Sequence, residues 1–409
     1  MLDFVARFLK KQSGIHLDYA STTPVRPEVL SAMAPYWNSV WANPSAIYKS
    51  GVRARRVIED MREKIAHLLR IRSTGVVFTS GGTESNNLAL IGAIEKLHRG
   101  GRPYSDMAVL TTKIEHASIL EAINELERRG VHIVYMPLHD DGRIDVGQLE
   151  SCLTENVALI SFAYVNSEIG VVQDVKRITR TIRAWCKARE TNILVHLDAA
   201  QAPLWLPCEL DMLGVDLLSL DSGKCYGPKG AGVLAFRHGV TLSPVIFGGG
   251  QEGGLRSGTE NTPLIVGCTV ALLRAQREWE SRSKRVSLLR EYFFERIQSE
   301  IPGVVINGSR EHRVANNVHI SVPGVDSEFA IITLDRHGIA ASTRSACGAH
   351  AASGSAVVRA LTQDDARATA TIRFTLGEET TKKHIERAVE ILSAHVRKVR
   401  AFAEKGKHE

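Results

Sequence analysis

Between residues 75 and 221, short apolar runs alternate with segments of helical period, and this alternation limits the fold more than any other feature of the chain. Residues 75–79, 107–110, 131–136, 157–164, 193–197 and 217–220 read as strands. Residues 84–97, 117–128, 146–153 and 175–189 read as the helices between them. Strands that are apolar on both faces and joined by helices pack as a mainly parallel sheet covered on both sides. Ligands on such sheets sit beyond the carboxyl ends of the strands. The residues just after each strand are therefore the ones to search for chemistry.

Two helices precede this region, over residues 27–40 and 52–69; the second carries Val57, Met61, Ile65 and Leu68 at helical spacing. Beyond Asn261 the rhythm changes. A long helical segment runs to about Glu300, followed by short strands at 304–306, 317–322 and 371–374 and helices at 328–336 and 382–403. A chain of 409 residues exceeds what one core usually holds. The expected division is a large domain over residues 15–262 and a smaller α/β domain made of 1–14 and 263–409.

Composition excludes more than it selects. The net charge is +6, with basic residues scattered, which gives no reason to expect nucleic acid as a partner. None of the six cysteines forms a C-x-x-C pair, so zinc and thioredoxin-like spacings are missing and no metal is expected. The cysteine usage suits a reducing, cytoplasmic setting. Residues 1–14 read as a short amphipathic helix without a cleavage site, and no apolar run is long enough to span a membrane.

Polar residues cluster after the strands. Asp221-Ser222-Gly223-Lys224-Cys225-Tyr226-Gly227-Pro228-Lys229-Gly230 follows one of them as a tight Gly-rich turn. A lysine held there away from bulk water is suited to Schiff-base chemistry; the alternative is a solvated surface lysine. Thr79-Ser80-Gly81-Gly82-Thr83 leads from a strand into a helix. It either cradles a phosphate on Gly82 and Thr83 or simply caps the helix. Asp198 ends a strand with Gln201 just beyond, and it either pairs with a protonated pyridine nitrogen or caps the next helix. His116 follows another strand and is placed to stack on a planar ring or move protons. Asn166 and Ser167 form a further polar cluster. Cys347 lies in a small-residue segment over residues 341–354, near Arg344, a setting for a reactive thiol. Arg373 interrupts an apolar strand and needs an anion, either a substrate carboxylate or a structural partner. Together these groups suit pyridoxal phosphate acting on an amino acid.

The same stretches resemble the cysteine desulfurases of the NifS/IscS type, among the fold-type I pyridoxal-phosphate enzymes related to class V aminotransferases. The resemblance rests on Leu17-Asp18-Tyr19-Ala20-Ser21-Thr22-Thr23-Pro24, Ala42-Asn43-Pro44-Ser45, residues 79–87, Glu115-His116, Asp198 with Gln201, and residues 224–230. It continues through Gly248-Gly249-Gly250-Gln251, Arg256-Ser257-Gly258-Thr259-Glu260-Asn261, Ser345-Ala346-Cys347 and Ile372-Arg373-Phe374. It implies a seven-stranded, mainly parallel sheet in the large domain. It also implies that Lys224 binds the cofactor covalently, Asp198 pairs with the ring nitrogen, Gln201 approaches the ring hydroxyl and His116 stacks on the ring. Gly82, Thr83 and Ser222 would hold the phosphate, joined by Thr259 from the second subunit of a homodimer. Arg373, Asn166 and Ser167 would meet the substrate, L-cysteine. Cys347 would carry its sulfur as a persulfide to an acceptor such as an iron–sulfur scaffold or a tRNA-thiolation protein. A selenocysteine lyase, another class V aminotransferase-like enzyme and a non-catalytic partner-binding homologue are the alternatives.

One departure stands out. The family often has Ser-Gly-His before the lysine, where this chain has Asp221-Ser222-Gly223. An aspartate facing a phosphate would repel it. The expectation is that Ser222 takes over the contact by a local shift, or that Asp221 points away and cofactor binding is weaker.

Overall fold

The computed structural model describes residues 14–343 and 354–405. The helix expected over residues 1–14 and the segment with Arg344 and Cys347 lie outside the described residues. The chain divides into two compact units.

The larger unit comprises Thr22–Ser167 and Val171–Ser283. Its sheet has seven strands: β2 (Val76–Thr79), β3 (Ala108–Thr111), β4 (His132–Tyr135), β5 (Val157–Ala163), β6 (Leu194–Asp198), β7 (Leu217–Asp221) and β8 (Gly232–Phe236). They lie in the order β2-β8-β7-β6-β5-β3-β4. Only β8 is reversed, running antiparallel to β2 and β7. This strand is the one that the sequence reading does not separate from the Gly-rich turn before it. The reversal is a consequence of that turn: with no crossover helix, the chain returns directly alongside β7. Gly232 is required here, because a Cβ on it would lie 2.7 Å from Gly81 Cα.

The apolar character of the strands matches their burial; every residue of β2, β3 and β8 is buried. The core packs Leu88, Leu90 and Ile94 of helix α1 (Gly82–Arg99) and Ile119, Ile123 and Leu126 of helix α2 (Ala117–Arg128) with Val77, Val109 and Leu159 of the sheet. The one imidazole in the middle of the sheet, His196, is fully buried between Ser161 Oγ (2.9 Å) and Ser219 Oγ (2.9 Å). Burial pulls its pKa down to about 3, so it serves as a neutral bridge across β5, β6 and β7. The helix expected over residues 27–40 is two short ones, Pro27–Met33 and Pro35–Asn38, because Pro35 has no N–H to continue the ladder.

The smaller unit comprises Met1–Ser21, so far as it is described, with Glu168–Gly170 and Lys284–Glu409. It holds an antiparallel sheet ordered β12 (Thr371–Thr375), β10 (Asn317–Ser321), β9 (Val305–Ile306), and a parallel pair of β1 (Ile15–His16) with β11 (Ile339–Ala340). The units divide inside the 39-residue helix Thr262–Glu300, after Ser283, and not at its start as the change of rhythm suggests. The first half of that helix is tied to the large unit: Gln276 donates to the carbonyls of Pro203 and Leu206, Arg282 to that of Leu204 and Ser283 to that of Trp205. The end of a βα rhythm marks where strands stop, which is a different place from where a helix changes its packing.

Candidate active site

The large unit gathers its polar side chains at the carboxyl ends of five strands. Gly82 follows β2, His116 follows β3, Asn166 follows β5, Asp198 ends β6 and Lys224 follows β7. β5, β6 and β7 are neighbours, and so are β3 and β5. Residues far apart in the chain therefore share one edge of the sheet.

Asp198 is buried and held on both oxygens. Its Oδ2 accepts from the side-chain amide of Asn86 at 2.8 Å, and its Oδ1 from the backbone N–H of Ala200 at 3.0 Å. The same Asn86 amide nitrogen donates to Ser118 Oγ at 2.9 Å. Ser118 Oγ lies 2.8 Å from His116 Nδ1, which also accepts the backbone N–H of Ser118 at 3.2 Å. With Nδ1 acting as acceptor, this network assigns the imidazole proton to Nε2. A continuous chain Asp198–Asn86–Ser118–His116 results. Beside it, burial pushes the Glu115 carboxyl up to about 8; a hydrogen bond from Thr112 opposes the shift and the charge of Asp198 adds to it. Near neutral pH Glu115 is therefore mostly protonated and adds little second negative charge next to Asp198.

Lys224 is half-buried at the end of a 3-10 turn over Ser222–Lys224. The turn is clamped by Thr23, whose N–H and hydroxyl both donate to Gly223 O at 2.9 Å, and whose hydroxyl accepts from Tyr226 N at 2.6 Å. Tyr226 is held at φ +62°, with the Arg26 guanidinium over its ring. A non-glycine residue in the left-handed region persists where its surroundings over-determine it.

The phosphate end differs from the expectation. Ser222 is fully buried, and its hydroxyl donates to Pro228 O at 2.8 Å, so it is committed to the turn. Asp221 does not point away. Its Oδ2 accepts the Gly82 N–H at 3.1 Å and its Oδ1 the Gly223 N–H at 2.8 Å. Gly81 turns the chain at φ +147° to make this approach. Thr83 is exposed in the first turn of α1, and Thr259 is exposed on a loop.

Asn166 is buried and donates to Ile114 O at 2.7 Å, so it braces the loop that carries His116; Ser167 and Gln201 are half-buried. Arg373 belongs to the smaller unit. It is 2% exposed, and its Nη2 contacts Asp18 Oδ1 at 2.8 Å and Ser21 Oγ at 3.0 Å, which is the structural-partner alternative. Cys347 lies outside the described residues. Asn86 and Ser118 have no role in the sequence reading. Their signal was present: Asn86 sits four residues after Gly82 and Ser118 two residues after His116, both on helices that begin at the strand ends.

A buried carboxylate at a strand end, an imidazole with an assigned proton and a half-buried lysine after the adjacent strand form a donor set that fits a pyridine-aldehyde cofactor. The fold and this set define a pyridoxal-phosphate enzyme of the doubly wound α/β type. The chain belongs to the aminotransferase class-V family, whose model matches residues 15–388. It is 38% identical over 389 residues to a cysteine desulfurase IscS of Dictyoglomus turgidum, an alignment covering 95% of this chain and 96% of the relative. A solved NifS-like protein superposes with a TM-score of 0.86 at 30% identity, covering 94% of this chain and 99% of that one. SspA in complex with cysteine superposes at 0.74 with 32% identity, covering 88% and 98%.

Proposed function

We propose that this chain is a pyridoxal-phosphate-dependent cysteine desulfurase, which converts L-cysteine to L-alanine and passes the sulfur, as a persulfide on Cys347, to an acceptor protein. The observation that carries the reading is the convergence of Lys224 and the Asp198–Asn86–Ser118–His116 chain on one sheet edge. The names of the relatives support the substrate: desulfurases are matched over nearly the whole chain, and one solved neighbour holds cysteine.

When bound, pyridoxal phosphate supplies an electron sink for the substrate's carbon skeleton. Asp198, fixed by two donors, presents a negative charge for the ring nitrogen. His116 offers a ring face and a proton on Nε2, Lys224 supplies the amine, and Gln201 meets the ring hydroxyl. Thr83 offers its hydroxyl to the phosphate, and Gly82 offers an N–H once Asp221 Oδ2 gives it up. Arg373 takes the substrate carboxylate with Asp18 holding its guanidinium in place, and Asn166 and Ser167 meet the substrate.

A homodimer fits the exposed apolar side chains of the large unit: Trp41 is 75% exposed, Ile47 94% and Phe247 68%. Thr259, exposed on its loop, is then available to the second subunit's phosphate. A reducing, cytoplasmic compartment suits the thiols, since Cys186, Cys208, Cys225 and Cys268 are free and buried. Among the described residues no helix is long and apolar enough to cross a membrane. An iron–sulfur scaffold or a tRNA-thiolation protein is the acceptor class that fits a persulfide donor.

The test follows labelled sulfur. Protein with cofactor and sulfur-labelled L-cysteine should form alanine and a labelled persulfide on the Cys347 peptide, and Cys347→Ala should lose both. Alanine produced at an unchanged rate by Cys347→Ala would reject the persulfide route; equal turnover of selenocysteine by that variant would instead favour a lyase.

A further inference from the structure

The start of α1 already holds an anion. Backbone N–H groups at a helix N-terminus are the natural donors for a phosphate. Here the Gly82 N–H is taken by Asp221 Oδ2 and the Gly223 N–H by Asp221 Oδ1, so both carboxylate oxygens are bound by the site's own backbone. The contact is close along the whole turn: a Cβ on Gly81 or Gly82 would come 3.5 or 3.4 Å from Asp221 Oδ2. The neighbouring Ser80 N–H is taken by a second acid, Glu84 Oε2, at 2.7 Å. Glu84 Oε1 accepts in turn from Arg256 Nε at 3.1 Å.

We propose that Asp221 is a built-in competitor for the cofactor's phosphate. Its carboxylate accepts from the Gly82 and Gly223 N–H groups, and a phosphate that uses those donors must displace it and then tolerate its charge. The cofactor is accordingly held mainly through its ring and through Lys224, and the chain discriminates weakly between pyridoxal phosphate and unphosphorylated pyridoxal. The inference rests on the reading of this unit as the pyridoxal-phosphate site, and it assigns that site an unusual balance of binding between the ring and the phosphate.

The full chain, stripped of cofactor, is titrated with pyridoxal phosphate and separately with pyridoxal. Bound chromophore absorbance and tryptophan fluorescence report Kd for the wild type, Asp221→Ser and Asp221→Asn. Both variants should lower the Kd of pyridoxal phosphate at least tenfold while leaving that of pyridoxal within twofold. Inorganic phosphate should compete with pyridoxal phosphate more strongly in the variants than in the wild type. Asp221→Asn keeps the shape of the side chain and carries the test if Asp221→Ser does not fold. A pyridoxal phosphate Kd that is unchanged or weaker in the folded variants overturns the role of Asp221 alone. No bound chromophore in any of the three proteins overturns the cofactor reading, and this inference with it.

Discussion

The side-chain amide of Asn86 donates to the Asp198 carboxylate across 2.8 Å, although 112 residues separate them in the chain. The amide fixes the rotamer of the acid and links it through Ser118 to His116. A hydrogen bond to a charged group contributes about 1.5–3 kcal/mol. Asn86→Ala should therefore lower kcat/KM roughly ten- to hundredfold and shift the absorbance of the bound cofactor, with the circular dichroism spectrum unchanged. Wild-type kinetics and spectrum in that variant would remove Asn86 from the site.

Glu115 gives a pH signature. Its carboxyl is raised by burial from 4.5 to about 8 in the folded chain. Below pH 4.5 it is protonated folded and unfolded, and its contribution to stability is complete. Between those values the folded chain keeps a proton that the unfolded chain releases, so stability falls as pH rises and the contribution is gone above 8. Glu115→Gln removes this slope. The difference in unfolding free energy between variant and wild type should grow by a few kcal/mol from pH 5 to pH 8, measured by urea unfolding at each pH. A difference that stays flat across that range would refute the assignment.

Arg62 and Glu252 form a buried fork, with Nη1 to Oε2 at 2.7 Å and Nη2 to Oε1 at 2.9 Å. Glu252 also accepts the Phe78 N–H of β2 at 2.9 Å, and Arg62 Nη1 donates to Val76 O at 2.7 Å. Burial works against the Arg62 charge, and the hydrogen bonds and charges of Glu252 and Glu59 together outweigh it, leaving the guanidinium above its usual range. Glu252→Ala leaves the Phe78 N–H unpaired and the Arg62 guanidinium with Glu59 as its remaining carboxylate, at about 1–3 kcal/mol or more. Thermal unfolding should show a clear loss, and the double variant Arg62→Met with Glu252→Ala should recover part of it. No loss in the single variant would mean that water replaces the carboxylate.

Arg373 has two roles to separate. Its contact with Asp18 is structural, whereas its proposed contact with substrate is functional. Arg373→Lys keeps a cation but removes the fork that matches a carboxylate. KM for L-cysteine should rise about tenfold or more, while the cofactor spectrum stays unchanged. An unchanged KM would leave the arginine only its ion pair.

The strand–helix alternation made the sheet legible, since fully buried parallel strands are written as apolar runs and each crossover helix by its period. β8 was missed because a short strand after a Gly-rich turn carries no crossover signal. The residue types at the strand ends were also legible: an acid at 198, a lysine at 224 and glycines at 81 and 82 each stand at a place that only a few chemistries use. The direction of the Ser222 hydroxyl was not legible, because its sequence position near Lys224 does not say which way it points; the turn directs it to Pro228 O.

The amino-acid order alone determined the class of fold, the edge of the sheet where chemistry lies and the kinds of side chain available there. Tertiary structure decided which of them meet: Asn86 with Asp198, Ser118 with His116, and Asp221 with the Gly82 N–H 139 residues away. The physical reason is that local sequence sets backbone conformation and the buried face, whereas contacts across the strand ends depend on strand order. That order follows from burying the whole apolar surface at once.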